Sequence, residues 1–401
     1  MQKHFRYIAL AGVAGLTVAA LAPNAQAARK TKTKIVTIGF IAPLSGDLSA
    51  LGLGMRNSVD LAIKQANKKK LIPGWTIVLN AQDDQAKADV GASVAAKLAS
   101  DNTTAAVVGT LNSSVAQQTQ PVLNKANIAQ VSPANTNPTL TQGADYATNK
   151  VRTFANYFRT STTDAIQGPF GAQFVYNTLG AKKVAIVHDQ KTYGKGLTDE
   201  FAKQFKKLGG EVLTTEVINP GDKDFSAVIS KIKPLNPAAV YYGGEFPEAS
   251  LLTSQMKAGG LKVPVIGGDG MQSNVYIDTA KDSAEGDSAT QVGAPTESQA
   301  TAKQYLADYD AAKYAEVHEA YGAYSYDAAN VIIQALAKVL PKAKDVASVR
   351  PKIIAAIQGT TLSGATGAVA FDEFGDTTNK VLTVYTVKGG KWTPAYTDSF
   401  K

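Results

Sequence analysis

The sequence predicts an α/β protein with two lobes, each built on a parallel β-sheet that helices cover. Short runs of β-branched and apolar residues alternate with longer stretches of helical periodicity, and the alternation restarts near the middle of the chain. The length of 401 residues is enough for two or three domains. Because strands that alternate with helices form right-handed β-α-β units, each half should fold around a parallel sheet.

In the first half, each predicted strand is followed by a helix. Met55, Val59 and Ile63 fall on one helical face between the first two strands. A second helix is predicted over residues 86–100, and a third ends near Lys125. The predicted strands of this half are 34–40, 75–80, 105–109 and 128–131.

The second half repeats this pattern. Leu197, Phe201 and Phe205 mark a helix that ends at Gly209-Gly210, a pair typical of a helix C-terminus. The remaining predicted elements of this half are strands at 183–187, 238–242 and 263–266 and helices at 225–232 and 248–258.

The C-terminal tail is too short to form a third domain. It carries two predicted helices, at 325–340 and near 346–357, and two predicted strands, at 368–371 and 381–387. We therefore expect the tail to complete the two preceding lobes.

Residues 1–27 are predicted to be a cleaved signal peptide. Two basic residues precede an apolar run over residues 8–22, and Ala25-Gln26-Ala27 has the small-residue pattern before a signal-peptidase cut. A membrane anchor is the less favoured alternative, because the run is shorter than the ~20 residues that span a bilayer. Cleavage would begin the mature chain at Ala28 and lower the formal net charge from +8 to +6.

The composition excludes several classes of chemistry. The absence of cysteine rules out thiolate zinc sites, iron–sulfur clusters, cysteine nucleophiles and disulfides, and three histidines are too few for a multi-histidine metal site. Neither the hydrolase Gly-x-Ser-x-Gly motif nor a P-loop occurs, and residues 52–57 match a dinucleotide-binding motif only imperfectly. We therefore predict no enzyme, no metal and no cofactor.

The basic excess does not predict a nucleic-acid partner. Lysines are dispersed as pairs and triplets at 68–70, 182–183 and 206–207, and no aromatic residues for base stacking alternate with them. These lysines are better explained as a solvated surface.

Small polar residues collect where the predicted strands end. Residues 109–114 (GTLNSS) close a strand and open a helix, whose free N–H groups suit a carboxylate, although a plain helix N-cap is the favoured explanation of this segment taken alone. Residues 132–138 (SPANTNP) end the next strand and contribute Thr136. The matching edge of the second half carries Tyr193, Glu245 and Asp269. Together they describe a cleft for a small zwitterion, with its amine between Thr136 and Asp269.

These segments resemble the periplasmic leucine/isoleucine/valine-binding protein family, the type I solute receptors of ABC importers. The resemblance extends over residues 34 to about 395. The matching runs are IAPLSGDLSALG (41–52), SPANTNPTLT (132–141), VAIVHDQKTYGKGL (184–197), GDKDFSAVISKIK (221–233), AAVYYGGEFPE (238–248), GLKVPVIGGDG (260–270), SAEG (283–286) and GAVAFDEFGD (367–376).

The resemblance implies the periplasmic binding protein type I fold, two lobes joined by three crossing strands that close on a ligand like a hinge. Lobe one would contain residues 34–163 and 293–379, and lobe two residues 164–292 and 380–401. Closure is what the membrane partner, the permease of an ABC importer, would detect. The protein would be a periplasmic monomer that binds an amino acid without a cofactor.

The resemblance also implies roles for individual residues. The ligand carboxylate would bind Ser113, with Thr136 nearby, and the amine would bind the Ala134 carbonyl, the Thr136 hydroxyl and Asp269. Tyr193 and the more loosely aligned Tyr321 would be the pocket aromatics, and Asp164, at the hinge entry, is a weaker candidate.

Three departures from the family pattern concern the side-chain end of the pocket. Leu51 and Glu245 stand where well-known branched-chain receptors have tyrosines, and Ala86 and Asn112 replace a cysteine pair. A carboxylate such as Glu245 is costly to desolvate unless it is paired or hydrated. We therefore hypothesise a ligand with a polar or cationic side group, or one bound with ordered water; leucine-type ligands stay open if Glu245 turns outward.

Other functions are open alternatives. Related receptors have drifted toward non-amino-acid solutes such as an amide, urea or an aromatic acid, and a sensor without transport is a further alternative. An exported enzyme on a similar scaffold is disfavoured, because no nucleophile–base pair is found.

Overall fold

The computed structural model describes residues 33–400, so the predicted signal peptide over residues 1–27 and the final Lys401 lie outside the described residues. The part before residue 160 alternates strands and helices, as the apolar pattern predicts. Its elements are β1 (Lys34–Ala42), α1 (Ser49–Lys68), β2 (Trp75–Asp83), α2 (Ala88–Ser100), β3 (Thr104–Gly109), α3 (Ser113–Lys125), β4 (Ala129–Ser132), α4 (Thr139–Gln142) and β5 (Tyr157–Arg159).

The next part repeats the alternation. Its elements are α5 (Asp164–Gln173), β6 (Lys183–His188), α6 (Thr192–Lys207), β7 (Glu211–Val217), α7 (Ser226–Ile232), β8 (Ala239–Gly243), α8 (Phe246–Ala258), β9 (Val265–Gly267), α9 (Asn274–Ala280) and β10 (Ser288–Val292). The tail adds α10 (Lys303–Ala312), α11 (Gly322–Val339), α12 (Arg350–Gln358), β11 (Leu362–Gly364), β12 (Gly367–Val369), β13 (Val381–Lys388) and β14 (Lys391–Ser399).

Two large sheets organise the described residues. The first has the order β2-β1-β3-β4-β5, and all its strands are parallel. The second has the order β14-β13-β10-β9-β8-β6-β7 and is parallel from β10 to β7. The predicted fold class, two parallel-sheet α/β lobes, is confirmed.

The second sheet departs from a purely parallel arrangement at one edge. β13 runs antiparallel to β10, and β14 runs antiparallel to β13. The hairpin between β13 and β14 turns at Gly389-Gly390, where both residues have positive φ, as a tight two-residue hairpin requires.

The chain passes three times between the two sheets. It leaves the first sheet after β5, returns after β10 so that α11 and α12 pack against β3 and β4, and leaves again before β13. Where one lobe ends and the other begins is proposed to follow the predicted boundaries.

The strands that the sequence pattern missed include β7 and β14. Both lie at sheet edges, and most of their residues are exposed or half-buried. Because an edge strand has few buried positions, its sequence lacks the apolar run that reveals a central strand. Between residues 33 and 400, no helix combines the length and the apolar character that crossing a membrane requires.

Candidate ligand-binding site

The predicted site residues follow the carboxyl ends of the parallel strands in both sheets. Asn112 and Ser113 follow β3, Ala134 and Thr136 follow β4, and Asp164 follows β5. From the second sheet and the flanking helices come Tyr193 after β6, Glu245 after β8, Asp269 after β9, Leu51 in α1 and Tyr321 before α11. Ligands of open α/β sheets bind at this edge, since loops there are free of the sheet's own hydrogen bonds.

A small cavity lies between these loops. Its volume is about 10 Å³, room for about one water molecule. Seven of the ten predicted residues line it, and Thr136, Asp164 and Asp269 do not. The lining residues are Leu51, Leu111, Asn112, Ser113, Ala134, Tyr193, Glu245, Gly270 and Tyr321.

Direct contacts between the two sets of loops hold the cleft closed around this cavity. The amide of Asn137 donates to the Thr192 carbonyl over 2.9 Å, and the Thr192 hydroxyl donates to Gln117 over 3.0 Å. Farther out, the Tyr146 hydroxyl donates to Glu200 over 2.6 Å. These bonds explain the small volume of the cavity.

A larger groove, of about 940 Å³, lies elsewhere. It is lined by segments within 272–274, 291–298, 309–320 and 385–394, and by none of the ten predicted residues. Size alone would favour this groove as a ligand site. The small cavity is nevertheless the better candidate, because buried polar residues from the strand-end loops of both sheets line it. They include Ser113 after β3 and Glu245 after β8.

The N-terminus of α3 supplies the end of the cavity suited to a carboxylate. Ser113 is the first residue of α3 and is 1% exposed. The residue before it, Asn112, forms no side-chain capping bond with the helix, because its amide is directed to Glu245 instead. The plain N-cap explanation of this segment is therefore wrong for Asn112, and the first N–H groups of α3 keep their attraction for an anion.

Two buried carboxyl groups, Asp164 and Asp269, belong to the same strand-end loops, although neither lines the cavity. Oδ1 of Asp269 accepts hydrogen bonds from Tyr193 (2.8 Å) and Gln167 (3.0 Å), whereas its Oδ2 forms no hydrogen bond of ordinary geometry in the described chain, although the Tyr321 hydroxyl lies beside this carboxyl. Both oxygens of Asp164 and the hydroxyl of Thr136 also lack a hydrogen bond of ordinary geometry there. Burial raises the pKa of Asp269 despite these bonds, and raises that of Asp164 well above its ordinary value.

The tyrosine of the second lobe is fixed by its neighbours. The Tyr193 hydroxyl donates to Asp269 and accepts from the backbone N–H of Gly270 over 3.1 Å. Gly268 makes room for it, because a Cβ there would lie 2.3 Å from the hydroxyl oxygen. A side chain at position 268 would thus separate Tyr193 from Asp269.

Arg159 holds the loop over residues 132–138, and sequence reasoning missed it. Its buried guanidinium donates to the carbonyls of Asn135 (3.0 Å) and Asn137 (2.9 Å) and pairs with Asp376 over 2.5 Å. The ion pair and other hydrogen bonds lower the pKa of Asp376, although burial opposes this. The one signal in the sequence is a lone arginine in the otherwise uncharged run NYFRTSTT at 156–163.

Glu245 lies in a buried polar cluster that joins the two sets of loops. Its Oε1 accepts from Asn112 Nδ2 over 2.6 Å, and its Oε2 lies 3.1 Å from Lys191 Nζ. Burial opposes ionisation, but Lys191 and the hydrogen bonds outweigh it, so the pKa of Glu245 is lowered. Asp189 completes this group, which we call the Glu245 cluster (Asn112, Asp189, Lys191 and Glu245), and sequence reasoning missed Asp189 and Lys191.

The carboxyl of Asp189 lies close enough to that of Glu245 for the two to influence each other's pKa. The two groups are within hydrogen-bonding reach, and two ionised carboxylates cannot donate to each other. Burial, followed by the charge of Glu245, raises the pKa of Asp189 to about 8. At neutral pH Asp189 is therefore mostly protonated.

We expect Asp189→Asn to flatten the pH dependence of stability. The unfolded carboxyl ionises near pH 4, whereas the folded one keeps its proton to about pH 8. Stability from this proton is therefore present at low pH and lost as pH rises through that window. Asparagine is uncharged at every pH, so at pH 8 the variant should exceed wild type by more than about 1.4 kcal/mol, the equivalent of one pKa unit. Urea unfolding at pH 5 and pH 8 measures this, and equal pH slopes in the two proteins would contradict it.

The chain is similar to known solute receptors along nearly its whole length. A family model described as periplasmic binding protein matches residues 35–391. The chain is 33% identical over 356 residues to Leu/Ile/Val-binding protein BraC3 of Rhizobium johnstonii, which is 89% of this chain and 92% of the relative. It is 35% identical over 300 residues to Leu/Ile/Val-binding protein homolog 1 of Brucella abortus, covering 75% and 77% of the two chains.

Solved structures of similar proteins also point to solute receptors. The leucine-binding protein LivK of Thermotoga maritima has a TM-score of 0.81 at 28% identity, covering 91% of this chain and 99% of that one. LivJ of Streptococcus pneumoniae, in complex with isoleucine, has a TM-score of 0.81 at 27% identity, covering 91% and 100%. A solute-binding protein of R. palustris in complex with benzoate shares the fold (TM-score 0.79) at 20% identity, covering 91% and 96%.

Proposed function

Because this chain belongs to the periplasmic binding protein family, in its leucine/isoleucine/valine-binding branch, we propose that it captures a free α-amino acid between its lobes and delivers it to an ABC importer. Members of this family are solute-binding proteins and not enzymes. The observation that carries the proposal is a cavity at a helix N-terminus, together with two buried carboxyl groups that follow strands of the two sheets and have no ion-pair partner among the described residues. The helix N-terminus and the two carboxyl groups match the two charges of an amino-acid backbone.

The carboxylate of the ligand binds at α3. The Ser113 hydroxyl and the first N–H groups of that helix offer hydrogen-bond donors, and the helix dipole favours a negative charge there. Residues 132–138 line the same side through Ala134. Arg159 and Asn135 hold that loop in place, so the carboxylate site is formed before the ligand arrives.

The ammonium group of the ligand supplies the cation that Asp164 and Asp269 lack. The buried ion pairs of the described chain, Arg159–Asp376, Lys191–Glu245 and Lys257–Asp287, involve neither carboxyl. An ammonium group has three N–H donors, and three acceptor oxygens of these two residues form no hydrogen bond of ordinary geometry in the described chain. Charge-assisted bonds of this kind are about twice as strong as neutral ones.

Ligand binding favours the closed arrangement of the two lobes, which is the state that the permease of an importer recognises. The contacts of Asn137 with Thr192 and of Asn112 with Glu245 join the two loop sets only when these are close together. A ligand that adds bonds to both sides shifts the population toward this closed state. The permease of an importer then recognises the closed receptor, which acts as a periplasmic monomer.

The side-chain end of the cavity supports a polar ligand. Glu245 and Asn112 line it where an all-apolar wall would suit leucine, and Leu51 and Leu111 are apolar residues of the same lining. Glu245 is 4% exposed and lines the cavity, which supports a polar ligand over a purely leucine-type one.

Calorimetric titration with all twenty amino acids tests the proposal. We expect one or a few amino acids with polar side chains to bind, because the cavity wall offers polar partners. Tight binding of leucine with no polar amino acid bound would contradict the polar pocket. Binding of benzoate or urea and of no amino acid would replace the proposal with a receptor for another class of solute.

A further inference from the structure

Lys191 lies where it sets the charge at the side-chain end of the ligand cavity. It precedes α6, its side chain is 21% exposed, and its Nζ lies 3.1 Å from Oε2 of Glu245, whose side chain is 6% exposed. Ordinary ion pairs on this surface, such as Lys195–Asp199, have both side chains more than half exposed. The Lys191–Glu245 pair is therefore shielded from solvent and counter-ions.

The charges of the Glu245 cluster cancel. Ionised Glu245 faces the ammonium group of Lys191, and burial followed by the charge of Glu245 raises the pKa of Asp189 to about 8, so Asp189 adds little negative charge at neutral pH. A lysine or arginine side chain entering the cavity would lose its hydration and meet a carboxylate that is already neutralised. An acidic side chain would meet Glu245 directly. Both kinds of ligand would leave a charge buried without an opposite partner, which is costly.

The amide oxygen of Asn112 remains without a donor among the described residues. Asn112 is 3% exposed and lines the cavity, and its Nδ2 donates to Glu245 over 2.6 Å. This bond fixes the orientation of the amide, because only the NH₂ group can face a carboxylate. Its Oδ1 has no hydrogen-bond partner among the described residues. A buried acceptor of this kind favours a ligand that brings an N–H or O–H group.

We propose that Lys191 is a specificity-determining residue that, by neutralising Glu245, restricts the ligand to α-amino acids whose side chain is uncharged and carries an N–H or O–H donor for Asn112 Oδ1. Glutamine, asparagine, serine and threonine belong to this class. The inference rests on the proposed function. It narrows the expected ligands from amino acids with polar or cationic side chains to amino acids whose uncharged side chain carries a hydrogen-bond donor.

Titration of wild type and Lys191→Met with glutamine, threonine, leucine, lysine and arginine tests the inference. Wild type should bind glutamine or threonine at least about tenfold more tightly than the other three, the scale of one unpaired buried group. In Lys191→Met, Glu245 is left without its cation, so affinity for lysine or arginine should rise by about tenfold or more. The matched control is Lys195→Met, in the helix that Lys191 precedes and on an exposed ion pair, which should leave the wild-type order unchanged.

Three outcomes separate this inference from the function on which it rests. Wild type that binds lysine or arginine as tightly as glutamine and threonine, or leucine more tightly than both, overturns the inference and leaves an amino-acid receptor. A folded Lys191→Met with the wild-type order overturns the role of Lys191. Wild type that binds none of the twenty amino acids overturns the proposed function itself. The wild-type ranking tests the ligand class even if the variant does not fold.

Discussion

Replacing Arg159 with methionine is expected to lower the free energy of unfolding by about 3–5 kcal/mol, the usual cost of breaking a buried ion pair from one side, and to abolish ligand binding. Arg159 is fully buried and pairs with Asp376 over 2.5 Å. Methionine would leave Asp376 without its cation and would free the carbonyls of Asn135 and Asn137 from their donor. Since these carbonyls belong to the loop that carries Ala134 and Thr136, stability and binding should fail together.

Urea unfolding measures the stability change, and titration with the amino acid that binds wild type measures the binding. Lys183→Met is the matched control, because the Lys183–Glu211 pair has both side chains more than half exposed and should contribute less than about 1 kcal/mol. An Arg159→Met variant that unfolds at the wild-type urea concentration would show that the buried pair does not hold this loop.

Asp269→Asn is expected to weaken ligand binding by about 1.5–3 kcal/mol, the usual value of a hydrogen bond to a charged group. The asparagine oxygen can still accept from Tyr193 and Gln167, so the shape of the site is kept. Its amide NH₂ would occupy the place of Oδ2, the acceptor that forms no hydrogen bond of ordinary geometry in the described chain. A donor in that place repels the ammonium group.

The same substitution should not destabilise the protein without ligand. Burial raises the pKa of Asp269, which means that its ionised form is less favourable in the folded state than in water, and asparagine removes that penalty. Asp278→Asn, at an exposed position of α9 in the same lobe, is the control and should leave affinity unchanged. Wild-type affinity in Asp269→Asn would show that the amine binds elsewhere.

The apolar patterning of the sequence was sufficient for the fold class and for most central strands. The runs that form β1, β3, β6 and β8 are almost completely buried, so their apolar composition alone indicates buried strands. The edge strands β7 and β14 escaped prediction because their residues lie at least partly exposed on the sheet edge. Their pairing depends on the neighbouring strand more than on their own composition.

The sequence also determined which residues could meet at the cavity. Parallel strands bring their carboxyl ends to one edge of their sheet, so polar residues after β3 and β4 had to lie together, as did those after β6, β8 and β9, and most of the predicted residues line the cavity. That reasoning needs only the order of strands and the position of each residue along its strand.

Only the tertiary structure decided how these groups pair. Asn112 and Glu245 are 133 positions apart and form a 2.6 Å hydrogen bond, and Arg159 reaches Asp376 across 217 positions. Sequence reasoning left Glu245 facing either the ligand or solvent, whereas the fold brings Lys191 and Asp189 to it. The physical reason is that hydrophobic periodicity is local and repeats along each element, while an ion pair or a side-chain hydrogen bond depends on distances of about 3 Å between elements that meet only after both sheets have formed.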